Sequence, residues 1–310
     1  MFEYAAAAVD GALSAGATYA DARVVVTRTE SIDVLNQAVE SVDHTESAGV
    51  GVRALIGSSW GFYATGEMTE TAARDAGAMA SAIAQASALV PGAPLELADV
   101  AISQTTWETP HVEDPFQVSL SEKVDLLIGV TTTMQGVPGI ALARASLGFF
   151  DTSKWFVSSQ GHRIHQHLVE SGGGFDATAV GEFETQRRSY PQSFGQYETG
   201  GYEVIRRWDF PANAQRIAEE AAALLSAPEM EEGEKSLILE GSQMALQIHE
   251  SVGHAIELDR ILGWEAGLAG TSHLELEKLN THRYGSEVMN ITADATLPGS
   301  LGSFGFDDEG

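Results

Sequence analysis

Two imidazoles and a carboxylate fall within six residues of one another in the run Gln247-Ile248-His249-Glu250-Ser251-Val252-Gly253-His254-Ala255-Ile256-Glu257-Leu258-Asp259. Neutral imidazole and carboxylate are the usual ligands of a zinc-type divalent ion. A Glu directly after the first His is placed to serve as general base toward a water at such an ion. In the zincin motif the paired His are four apart and share one helix face. Here His249 and His254 are five apart. Five residues advance about 500° around an ideal helix, so the second ring lies about 140° from the first. Two arrangements restore a site. The helix widens by one residue near Gly253, where backbone strain costs least. Alternatively Glu250 and His254, four apart, hold the ion and His249 is spare. The widened helix is the expectation, because it leaves Glu250 free to act as base.

Other candidates carry less. His162, His165 and His167 cluster in sequence; the latter two share one strand face at the edge of a sheet and are read as exposed or half-buried strand histidines. Gly172-Gly173-Gly174 has no following helix or Lys, so it is no phosphate loop and reads as a bulge or turn. Glu182 to Arg188 alternates acids and bases like a solvated strand face. The chain has no G-x-S-x-G elbow for a serine hydrolase.

The elements that must position this chemistry are α+β in class. An Ala-rich helix spans Phe2 to Ala15, followed by alternating runs at 22–29 and 31–36 and a hairpin joining 49–56 to 60–64. Thr69 caps a helix to Leu89, and Val90-Pro91-Gly92-Ala93-Pro94 closes it. A helix at 119–134, strands at 140–150 and 163–170, and a helix at 211–225 with Pro in its first turn make up the middle. After the acidic linker 228–234, a short strand at 236–240 leads to a helix capped by Ser242 and running to about Arg260. Some β character returns at 287–296. The expected organisation is an N-terminal α+β domain at 1–94, a middle α/β domain at 95–232, and the start of a truncated, β-rich C-terminal domain at 233–310 that bears the metal helix.

Composition narrows the function classes. With 17 Lys and Arg against 44 Asp and Glu the formal charge is −27, which repels phosphate backbones and anionic lipid, so nucleic acid and membrane are excluded as main ligands. No apolar run is long enough to span a bilayer. The N-terminus lacks the cationic region of a signal peptide, and the absence of Cys fits a reducing compartment, so a cytoplasmic location is expected.

The His249-Glu250-Ser251-Val252-Gly253-His254 run resembles the HExxxH signature of the TldD/PmbA family, in its TldD-type metalloprotease members. Gly49-Val50-Gly51-Val52-Arg53 with Trp60-Gly61-Phe62 is similar to the family's N-terminal strand pair. The run Gly181-Glu182-Phe183-Glu184-Thr185-Gln186-Arg187-Arg188-Ser189-Tyr190-Pro191 and then Gly200-Gly201-Tyr202-Glu203 resemble its middle section. Asp307-Asp308-Glu309-Gly310 matches a motif inside its C-terminal domain. The resemblance implies a zinc-dependent metallopeptidase that hydrolyses unfolded or flexible peptides. It also implies a heterodimer with a PmbA (TldE)-like partner, with a homodimer as the other arrangement. It makes His249 and His254 the zinc ligands, Glu250 the catalytic base, and Glu257 and Asp259 supports around them. In the family a later Cys completes the metal site, and this chain has none. The expectation is therefore a fragment, inactive or impaired by itself. The rival reading is a non-catalytic assembly subunit resembling the PmbA (TldE) partner.

Overall fold

The computed structural model describes residues 1–90, 92 and 94–310, so Pro91 and Ala93 of the expected 90–94 boundary lie outside the described residues. The chain divides into two compact units, one of residues 1–225 with 295–310 and one of residues 226–294.

The first unit is built on one sheet with strand order β3-β2-β1-β5-β6-β4, and β7 and β8 add to β6. Its long members are β1 (Tyr19–Leu35), β2 (Ala38–Ile56), β5 (Ile140–Ser158) and β6 (Arg163–Val180), paired antiparallel. The shorter ones are β3 (Ser59–Thr65), β4 (Gln104–Glu108), β7 (Thr185–Tyr190) and β8 (Gln196–Thr199). β4 pairs parallel to β6. The runs at 22–29 and 31–36 form one unbroken strand, because Glu30 between them is paired across to both His44 and Phe149. Its carboxylate is neutralised by Lys123, whose side chain is fully buried and also donates to the Pro115 carbonyl at 2.6 Å.

Alternate residues of β1 (Ala20, Ala22, Val24, then Ile32 and Val34) are buried on one sheet face, as a period of two requires. Helices α1 (Phe2–Ser14) and α2 (Glu70–Ser87) cover the first group. Gly77 lets them touch backbone to backbone, since a Cβ there would lie 2.0 Å from the Ala8 carbonyl oxygen. Helices α3 (Leu120–Gln135), α4 (Glu203–Trp208) and α5 (Phe210–Leu224) cover the second group around Phe149, Phe175 and Phe210. Thr69 and Ser119 cap α2 and α3 through their hydroxyls, at 3.1 and 3.2 Å.

Residues 303–310 lie on the opposite face. The Gln166 amide accepts from the Gly305 and Phe306 N–H groups and donates to the Phe306 carbonyl. Arg53 reaches from the fully buried Asp21 carboxylate at 2.7 Å to Glu309 at 3.1 Å.

Several expected elements differ. Gly172-Gly173-Gly174 is neither bulge nor turn but the middle of β6. A Cβ at Gly172 would fall 2.2 Å from the Tyr197 ring, so the missing side chains make room for β8. His165 and His167 are not at a sheet edge, because β4 pairs alongside them. Neither 236–240 nor 287–296 is a strand, since no partner strand lies beside either among the described residues. The helix expected from Ser242 to Arg260 is α6 (Gly241–Ile248), a π turn at His249–Gly253, a 3-10 turn at His254–Ile256 and α7 (Leu258–Ile261). Ser242 is not its cap; that position is Glu240.

Candidate metal centre

The π turn places the two histidines together. The His254 N–H bonds to the His249 carbonyl, an i to i−5 link that inserts one extra residue into the helical circuit. The ring centroids of His249 and His254 are consequently 4.3 Å apart, at an interplanar angle of 70°. One ligand atom each from His249, Glu250 and His254 lie within 4.8 Å of one another. His254 Nε2 is 4.0 Å from Glu250 Oε2. His249 and Glu250 are exposed and His254 is half-buried.

The π turn and the 3-10 turn after it leave carbonyls without helical partners, and two side chains from the following loop satisfy one in each. The Tyr284 hydroxyl donates to the Ser251 carbonyl. The Ser272 hydroxyl donates to the Ala255 carbonyl at 2.6 Å. Neither residue is marked by any sequence pattern, because each acts across a loop without periodicity.

Of the two supporting acids, Glu257 meets a histidine and Asp259 turns elsewhere. Glu257 Oε1 lies 2.8 Å from His254 Nδ1, and Glu257 Oε2 lies 2.5 Å from Arg260 Nε. A carboxylate on Nδ1 fixes the ring and leaves Nε2 as the ligand atom. Asp259 accepts from the Arg260 N–H at 2.8 Å and sits with Glu257 and Glu265. Arg260 follows Glu257 by three positions, an ion-pair spacing that could have been read from the sequence.

A cavity of about 350 Å³ opens beside these groups, lined by Glu250, His254, Arg260, Ser272, His273 and Tyr284. A second, of about 700 Å³, is lined on its apolar side by Val252, Ile256, Leu258, Leu276, Met289 and Ile291. Two imidazoles and a carboxylate gathered in this way fit a zinc-type ion in donor chemistry.

The three histidines of the 162–167 cluster lie apart from this group, and the buried Nε2 of His165 has no hydrogen-bond partner. His167 Nε2 is 2.9 Å from Asp151 Oδ1, His162 Nδ1 accepts from the Ser103 N–H at 3.3 Å, and His165 stacks on Trp155 at 4.7 Å. Arg187 and Arg188 pair with Asp176 and Glu220.

Fold and site together define an α+β protein with a two-histidine, one-carboxylate donor set on a π-widened helix. A family model described as PmbA/TldA metallopeptidase domain 1 matches residues 20–90, and one described as PmbA/TldA metallopeptidase C-terminal domain matches residues 232–310. Both matched segments are similar to domains of the PmbA/TldD metallopeptidase family. A metalloprotease of Methanothermobacter thermautotrophicus is 28% identical over 298 residues, covering 94% of this chain and 60% of the relative. A metalloprotease of Methanocaldococcus jannaschii is 25% identical over 295 residues, covering 94% and 61%. The chain thus spans about three fifths of the length of the curated relatives it matches. A crystal structure of a candidate modulator of a DNA gyrase from Thermotoga maritima shares the fold with a TM-score of 0.57, at 14% identity over 74% of this chain and 50% of that one. One from Bacteroides thetaiotaomicron does so at 0.56, with 14% identity over 71% and 48%. Among the described residues no helix is long and apolar enough to cross a membrane.

Proposed function

We propose that this chain carries the catalytic helix of a zinc-dependent, TldD-like metallopeptidase that hydrolyses unfolded or flexible peptides. The observation that carries the reading is the π turn, which gathers donor atoms of His249, Glu250 and His254 within 4.8 Å. In this reading His249 and His254 hold the ion, and Glu257 fixes the His254 ring through Nδ1. A bound zinc-type ion supplies Lewis acidity toward water and the scissile carbonyl. Glu250 takes the proton of the attacking water and delivers it to the leaving amine. The peptide lies extended, since strand-like backbone pairing demands no particular sequence.

The same reading includes a cytoplasmic location and pairing with a PmbA/TldE-like partner or with a second copy. It keeps the division at 1–94, 95–232 and 233–310, which the matched segments 20–90 and 232–310 support at its two ends. With two imidazoles as its protein ligands and no Cys in the chain, the ion is held weakly and hydrolysis by these 310 residues alone is slow.

Zinc content and cleavage of an unstructured peptide test the assignment together. The expected outcome is that His254→Ala loses the metal, while Glu250→Gln keeps it and loses cleavage. A protein that binds no zinc at micromolar concentrations, or a Glu250→Gln variant as active as the parent, overturns it. In that case the non-catalytic assembly subunit is the better account.

A further inference from the structure

The distal half of β2 has a strand on one side only. β3 leaves β2 at the pair Val50–Thr65, whereas β1 accompanies β2 along its whole length. Residues 38–48 therefore form a sheet edge of about 37 Å with half of its backbone N–H and C=O groups directed outward. All of these residues but Ser41 are exposed, including Val39 and Val42 at 43% and 41%. Proteins commonly protect such edges with Lys, Pro or a short strand. This edge has no Lys, Arg or Pro, and its one irregularity is the bulge opposite Asp33 and Val34.

Its charges have a single sign. Glu40, Asp43 and Glu46 recur every third residue, and among the described residues none forms an ion pair with Lys or Arg. The His44 ring lies 3.8 Å from Glu46, and Arg28, the residue across from Glu46 on β1, pairs with Asp151 instead. A second copy pairing antiparallel about Asp43 would set Glu40 against Glu46 and Asp43 against itself. Like charges directly opposite destabilise a strand pair, and each copy brings a formal charge of −27. A cationic strand has the opposite fate, since its backbone completes the ladder while its side chains meet carboxylates on either face, Asp43 on one and Glu46 on the other, neither ion-paired with Lys or Arg among the described residues.

We propose that residues 38–48 of β2 are a docking edge for an extended, Lys- or Arg-rich segment of another protein, which adds as a strand in the lane that β3 vacates after Thr65. The inference is independent of the metal centre and concerns binding alone.

Fluorescence anisotropy with a labelled peptide of about twelve residues alternating Lys and Val, at low ionic strength, tests it. A peptide with Pro in place of every Val has the same charge but cannot add as a strand. The expected result is binding of the Lys–Val peptide at least about tenfold tighter than of the Lys–Pro peptide, with slowed amide exchange confined to residues 38–48. The triple variant Glu40→Lys, Asp43→Lys, Glu46→Lys should lose the Lys–Val peptide and gain one alternating Glu and Val. Equal affinity for the two cationic peptides reduces the effect to net charge and overturns the proposal. So does an unchanged preference in the triple variant. Protection of 38–48 before peptide is added, in a protein that sediments as a dimer, also overturns it by making a second copy the occupant.

Discussion

His254 Nδ1 and Glu257 Oε1 are 2.8 Å apart, three residues along a chain that leaves its 3-10 turn between them. That contact decides which nitrogen of His254 is available as a ligand, and Arg260 in turn holds the second Glu257 oxygen. Replacing Glu257 by Ala releases the ring to rotate and to change tautomer. Zinc affinity, measured by competition with a chromophoric chelator, should fall by about 10- to 100-fold, with the far-UV spectrum unchanged. An unchanged affinity would make Glu257 a partner of Arg260 only.

The Tyr284 hydroxyl closes the π turn by holding the Ser251 carbonyl. Tyr284→Phe leaves that carbonyl without its donor, at a cost of about 1 kcal/mol in the turn. Metal affinity should drop about tenfold, because the turn is what sets His249 beside His254. The visible spectrum of the cobalt-substituted protein should also shift, which a loss of loop stability alone would not produce.

Lys123 is fully buried against Glu30, with the Phe149 ring 4.5 Å from its ammonium. Lys123→Met strands the Glu30 carboxylate and should cost about 3–5 kcal/mol in urea denaturation. Adding Glu30→Met should recover most of the loss, because removing both charges together leaves no buried ion behind. A double variant no more stable than the single one would show that the pair itself holds β1 to α3.

Burial holds the His165 pKa below its ordinary value, and the neighbouring His167 adds to the effect. The folded protein therefore favours the neutral ring, and protonation favours unfolding. The contribution of this group is complete above the unfolded value of about 6.5 and is lost as pH falls through the lower folded value. His165→Phe preserves the stack on Trp155 and removes the titration. Denaturation midpoints between about pH 7 and pH 5 should fall less steeply in the variant than in the parent.

Local signals in the chain were sufficient for much of this architecture. Thr69 and Ser119 cap the helices they precede because a hydroxyl reaches an N–H three residues on, whatever lies elsewhere. Pro211 sits in the first turn of α5 for the same kind of reason. The five-residue spacing of His249 and His254 already required a widened helix if the rings were to share an ion, and the π turn has that geometry.

Tertiary contact decided the rest. Whether 22–36 is one strand or two depended on Lys123, 93 positions away from Glu30, making a carboxylate tolerable inside the sheet. Gly172-Gly173-Gly174 looks like a turn until Tyr197 is laid across it. The groups that satisfy the freed carbonyls beside the candidate metal site, Tyr284 and Ser272, are distant loop residues with no pattern of their own. Hydroxyls that satisfy stranded carbonyls leave no trace in spacing or composition, because the need they meet exists only once the helix has widened.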